Sequence, residues 1–131
     1  MIVNNSPAVT QIPVVDFERA VHFYQNVLGL KPKRMYAEIG IAVFEAGQGT
    51  SLSLYKRGPT TADHTIMEFE VEDIETAMNE LSERGVVFEQ YDFPGLKTDA
   101  RGIAELGPGA LAAWFKDTEG NILALGTVPP A

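Results

Sequence analysis

The chain has no cysteine. That removes disulfides, thiolate metal sites and cysteine nucleophiles together. No apolar run approaches the ~20 residues of a membrane-spanning helix, so no membrane association is expected. Met1 to Gln11 shows neither a basic start nor a long apolar stretch. No secretion signal is therefore expected, and the protein is read as cytoplasmic. Cations are scarce: 10 Lys and Arg stand against 18 Asp and Glu, for a net charge of -8. Nucleic-acid binding needs clustered Lys and Arg, so it is not expected. A cationic ligand would be favoured if the negative charge were focused in a cleft. Tryptophan occurs once, at Trp114. Phosphate loops, Rossmann glycine patterns and a recognisable Ser-His-Asp context are all missing.

What is present is an ordinary globular composition, 45% hydrophobic over 131 residues. This size suits a single domain spanning 1–131. Within it the sequence repeats. Val15-Asp16-Phe17-Glu18-Arg19-Ala20 opens a helical stretch, and Glu72-Asp73-Ile74-Glu75-Thr76-Ala77 opens another 57 positions later. A hairpin-like segment, Val43 to Leu54, returns at an offset of 71 as Trp114 to Leu125. The expectation is an α+β fold of two tandem βαβββ modules, their curved sheets facing each other around a cleft. Module one covers 8–57, a turn-rich linker covers 58–63, and module two covers 64–127.

Local signals fill in the elements. Val9 to Val15 reads as a strand whose Pro13 points to an edge or a bulge. Asp16 is a plausible helix cap, and Ala20, Phe23, Val27 and Leu28 follow helical spacing up to Gly29. Arg34 to Glu38, Ile41 to Ala46 and Ser51 to Tyr55 read as strands. In module two the order returns: Thr65 to Val71 is a strand, Asp73 caps a helix with Ile74, Ala77, Met78 and Leu81 inward, and Val86 to Tyr91 is a strand. Ala110 to Lys116 and Asn121 to Thr127 close the module, and Val128 to Ala131 is a tail. The halves differ most at 92–109, a Gly- and Pro-rich insertion expected to hold at most one short strand, Gly102 to Leu106.

Three segments carry a family resemblance. These are Asp16 to Ala20 with Phe23-Tyr24 and Leu28-Gly29-Leu30, then Val71 to Ile74 with Gly85-Val86, and Phe115 to Asn121. In this order they resemble the vicinal oxygen chelate superfamily, which includes glyoxalase I, bleomycin-resistance proteins and extradiol dioxygenases. The likeness spans Val9 to Thr127. Metal enzymes of that superfamily draw ligands from the first strand of each half, seven residues before the cap Asp, and from each half's last strand. The resemblance puts these positions at Val9, Ile66, Ser53 and Ala124. None supplies carboxylate, imidazole or thiolate, so no metal is expected there and no cofactor is expected.

Alternation along regular strands would put Gln11 on the face of Val9, and His64 and Glu68 on the face of Ile66. Gln11, His64 and Glu68 are thus candidates for a shifted metal site, although His64 and Glu68 lie roughly 13 Å apart along a strand. Glu68 is the candidate general acid or base, or the anchor of a cation. Ser53, Tyr55, Trp114 and Arg101 complete the candidate ligand-binding set, with Ser51, Tyr36, Met67 and Phe93 nearby. Aromatic side chains with polar tips suit a flat organic ligand. The reading is a metal-free protein binding a small organic molecule, cationic or aromatic, and similar to the bleomycin-resistance branch. The alternative is a superfamily enzyme of lyase, isomerase or dioxygenase type that uses a shifted metal site or Glu68. A regulatory module that contacts another protein is a third reading. Members of the superfamily commonly pair their modules, so the resemblance implies a homodimer.

Overall fold

The computed structural model describes residues 2–127, so the expected tail from Val128 to Ala131 lies outside the described residues. The chain divides into two compact units between Thr61 and Ala62, within the expected linker.

Module one runs β1 (Val9–Val14), α1 (Phe17–His22), β2 (Lys31–Tyr36), β3 (Ile41–Glu45) and β4 (Ser51–Lys56). Its sheet has the order β1-β4-β3-β2, with β1 parallel to β4 and the other pairs antiparallel. The Asp16 carboxylate accepts the Arg19 amide at 3.1 Å and starts α1. The helix then widens. Leu28 donates its amide to the Phe23 carbonyl five residues back, and a π turn spans Phe23–Val27. This wider turn allows the neighbours Phe23 and Tyr24 both to be buried. Gly29, at φ 74°, ends the segment. Tyr24 lies 6.3 Å from Phe44, ring to ring, over a core of Ile12, Val14, Leu52 and Leu54.

Module two runs β5 (Thr65–Glu70), α2 (Ile74–Glu83), β6 (Asp92–Phe93), β7 (Leu96–Lys97), β8 (Ile103–Gly107), β9 (Ala110–Lys116) and β10 (Ile122–Gly126). Its sheet order, β5-β10-β9-β8, repeats that of module one, so the chain is α+β with two βαβββ modules. Asp73 caps α2 by accepting the Thr76 amide at 3.1 Å. The helix packs on β9 and β10 and buries Ile74 and Met78. Phe115, Leu123 and Leu125 fill the core on that side.

Three expectations are corrected. The strand expected over Arg34 to Glu38 spans Lys31–Tyr36 instead, and Ala37–Ile39 forms a 3-10 turn. Val86 to Tyr91 is not a strand; its backbone meets the sheet through the isolated bridge between Phe88 and Phe115 and the Glu89 amide on the Trp114 carbonyl. The insertion holds more than one short strand, because β6 and β7 form a separate two-stranded hairpin ahead of β8. Strands of two residues show no alternation for a sequence to betray.

The sheet edges share a property. β1 and β2 contain Pro13 and Pro32, residues that cannot donate to a ladder. β2, β5 and β8 each meet their neighbour with a register shift.

Candidate functional site

Residues paired across a sheet point to the same face. In module one the pairing sets Gln11 beside Ser53 and Ser53 beside Val43. Gln11 is exposed, whereas Ser53 is buried at the centre of the row. Tyr55, two residues on, shares this face and is half-buried. Val9 also lies on it and is 39% exposed.

Module two repeats the row at the 57 and 71 offsets. Glu68 pairs with Ala124, and Ala124 with Trp114. A carboxylate and an indole thus stand on either side of an alanine, about 10 Å apart at their Cα atoms. Glu68 is exposed, and its carboxylate makes no hydrogen bond or ion pair among the described residues. Its side chain lies over Gly126: a Cβ placed on that glycine would stand only 2.7 Å from Glu68 Cδ. Trp114 is buried instead, with 9% exposure. It packs with Ala104, Ala112 and Ala124, and Tyr91 and Leu96 pack over this cluster. The Tyr91 and Trp114 rings meet edge to face at 5.6 Å. Burial, then the nearby charge of Glu89, pushes the Tyr91 phenol above its ordinary pKa, so it remains neutral near pH 7.

His64 does not follow Glu68 onto this face by alternation. β5 is bulged at Ile66: Thr65 pairs with Ile122 and Met67 with Leu123, leaving Ile66 without a partner on β10. The extra residue gives Thr65 the parity of Ile66 and Glu68 and throws His64 to the opposite parity. His64 itself is exposed and precedes the strand. Arg101 is engaged elsewhere. It forms an ion pair with Glu75 in the first turn of α2, the helix side of the module. Sequence reasoning missed Tyr91 and Leu96 as the cover of Trp114, because only the fold brings them there.

The four positions assigned to metal ligands by resemblance hold Val9, Ile66, Ser53 and Ala124. Among the described residues no group of three or more His, Asp or Glu side chains could hold a metal ion. The donors present do not fit a divalent metal at those positions.

A family model described as Glyoxalase/Bleomycin resistance protein/Dioxygenase superfamily matches residues 6–125. The chain belongs to this superfamily. Solved structures agree with the superfamily fold. One is an integron cassette protein, HFX_CASS4, from the mobile metagenome of a Halifax Harbour sewage outfall. It is 16% identical, with a TM-score of 0.72 over 94% of this chain and 98% of that one. A glyoxalase/bleomycin resistance protein from Catenulispora acidiphila DSM 44928 is 28% identical, with a TM-score of 0.64 over 94% and 98%. TnmS3, an antibiotic binding protein from Streptomyces sp. CB03234, is 23% identical, with a TM-score of 0.64 over 95% and 98%. No curated protein matches the sequence. No helix among the described residues is long and apolar enough to cross a membrane.

Proposed function

We propose that this superfamily member binds a small organic molecule, cationic or aromatic, without a metal ion, on the Glu68–Ala124–Trp114 row. The observation that carries this reading is the exposed Glu68 carboxylate, which has no partner among the described residues and lies across a small-residue floor from an indole. A carboxylate binds a cationic group by charge-assisted hydrogen bonds, and an aromatic wall favours a flat one. Supporting it are the four positions that lack a carboxylate, imidazole or thiolate, and the antibiotic binding of TnmS3, a protein of similar fold. The reading includes a cytoplasmic protein that pairs as a homodimer. Light scattering at micromolar concentration checks the pairing, and a monomer there contradicts it.

Calorimetry with proflavine, a planar cation, and anthraquinone-2-sulfonate, a planar anion, tests the binding. Proflavine should bind the more tightly, and Glu68→Gln should weaken it about tenfold or more with the far-UV spectrum unchanged. Equal binding of both probes, or an indifferent Glu68→Gln, sinks the reading. The same carboxylate favours a second reading, an enzyme that uses Glu68 as acid or base or with a shifted metal site. Stoichiometric Ni, Zn, Mn or Fe in the purified protein would support it and overturn the metal-free reading.

A further inference from the structure

Module two carries a segment that module one lacks, the hairpin of β6 and β7. Its foot is stitched down. The Thr98 amide donates to the Tyr91 carbonyl at 2.9 Å, the Tyr91 amide donates to Thr98 Oγ1 at 2.8 Å, and Gln90 Nε2 donates to the Ala100 carbonyl at 2.6 Å. The Asp99 carboxylate takes the amides of Arg101 at 2.9 Å and Ile103 at 3.0 Å. The Arg101–Glu75 ion pair then ties this turn to α2. The tip is different. Its strands are two residues long, and Phe93 is 53% exposed. Beyond the foot, Leu96 packs beside Tyr91 on Ala104, Ala112, Ala124 and Trp114, β7 lies alongside β8, and the half-exposed Phe93 ring stands 5.8 Å from that of Tyr91.

Alanine is a poor strand residue, and a face of three alanines leaves room for a ring-sized guest. Here the guest is the chain's own Tyr91, with Leu96 beside it. We propose that the hairpin is a hinged cover: Leu96 withdraws with the tip, Tyr91 turns about its side-chain bonds, and the vacated slot takes a planar aromatic group against Trp114. The slot lies on the row that ends in Glu68, so a planar cation gains both contacts. A ligand ring replacing Tyr91 restores much of the buried apolar area, which keeps the exchange inexpensive. Binding affinity then includes the cost of opening, since a competent state that is a minor population lowers the apparent affinity. The ligand in this proposal rests on the binding function above; the cover itself does not.

Trp114 is the only tryptophan, so its fluorescence reports the cover directly. Three proteins suffice: the wild type, Leu96→Ala, and a variant in which 92–97 is replaced by Asn-Gly, a two-residue turn that closes on the Tyr91–Thr98 pair. Without ligand, acrylamide quenching of Trp114 should rise about threefold in the shortened chain and by less in Leu96→Ala, with far-UV spectra unchanged. Proflavine should bind both variants more tightly than wild type, by about tenfold in the shortened chain, and should quench Trp114 in all three. In the wild type, amides of 92–97 should exchange with solvent faster than those of β8 to β10. Unchanged quenching in folded variants, or hairpin amides as protected as the sheet, overturns the cover. Faster quenching with proflavine binding to none of the three keeps the cover and overturns its ligand, along with the binding function. If the shortened chain does not fold, Leu96→Ala and the exchange measurement decide.

Discussion

Module one and module two use the same residues where the fold needs them and different ones where a ligand would touch. Asp16 and Asp73 cap their helices through the same bond, to the amide three residues on. Phe44 and Phe115, 71 positions apart, are both fully buried against an aromatic partner, Tyr24 in one case and Phe88 in the other. Gly49 and Gly120, also 71 apart, both take positive φ in the turn before the last strand. On the opposite face the rows read Gln11–Ser53–Val43 and Glu68–Ala124–Trp114. Duplication has kept the scaffold and varied the face, and module two alone received a charge, an indole and a hairpin to cover it.

The largest effects should fall where the modules agree. Phe44→Ala and Phe115→Ala should each cost about 3–5 kcal/mol, the ordinary loss for emptying a buried aromatic position. Urea unfolding followed by far-UV circular dichroism measures both. A much smaller loss in one module breaks the equivalence of the cores. Next is a turn that the modules build differently. Asp117 accepts the amides of Glu119 and Asn121 and the Asn121 side chain, at 2.8–2.9 Å, whereas its counterpart is Ala46. Asp117→Ala should therefore cost about 2–3 kcal/mol by leaving these donors unsatisfied. A thermal-denaturation shift near zero would make the carboxylate dispensable, as it is in module one.

Acid sharpens the contrast further. The Thr76 amide holds the Asp73 carboxyl below its ordinary pKa, and the Ile103 amide does the same for Asp99 at the foot of the hairpin. Each carboxylate contributes stability above the unfolded pKa of about 3.9, and the contribution fades as pH falls through the lower folded value. Asp73→Asn with Asp99→Asn keeps an acceptor oxygen at the helix cap and at the turn, and should flatten the fall of Tm below about pH 4. An unaltered slope would place the acid sensitivity elsewhere. The smallest effect on stability is expected at Gly126, whose counterpart in module one is Tyr55. Gly126→Ala meets only the movable end of Glu68, so stability should change by less than about 0.5 kcal/mol. The displaced carboxylate should nevertheless weaken proflavine, and unchanged affinity would remove Glu68 from the site.

Much of this was legible beforehand. Asp16 and Asp73 before amphipathic runs announced the helices, and β-branched strands ending in Gly turns announced the sheets. Phe23 was readable as part of the helix's apolar stripe. The π turn at Phe23–Val27 was not, because a widened turn keeps nearly the same apolar spacing as a regular one. The bulge at Ile66 was also invisible, since no Gly or Pro marks it, and it broke the alternation that had set His64 beside Glu68. The ion pair of Arg101 with Glu75 was not legible either, because the two lie 26 residues apart and meet only once α2 is docked. Trp114 was identified without its cover, which depends on contacts between the hairpin and a distant strand.

The prolines and register shifts at the sheet borders have a consequence for the protein in crowded solution. A sheet grows into a fibril by adding identical strands to an open border, each zipping to the last through an unbroken series of amides. Pro13 and Pro32 interrupt that series on the two borders of one sheet, and the bulges of β5 and β8 twist the borders of the other. Association of copies through side chains is thereby favoured over strand-by-strand growth at these borders.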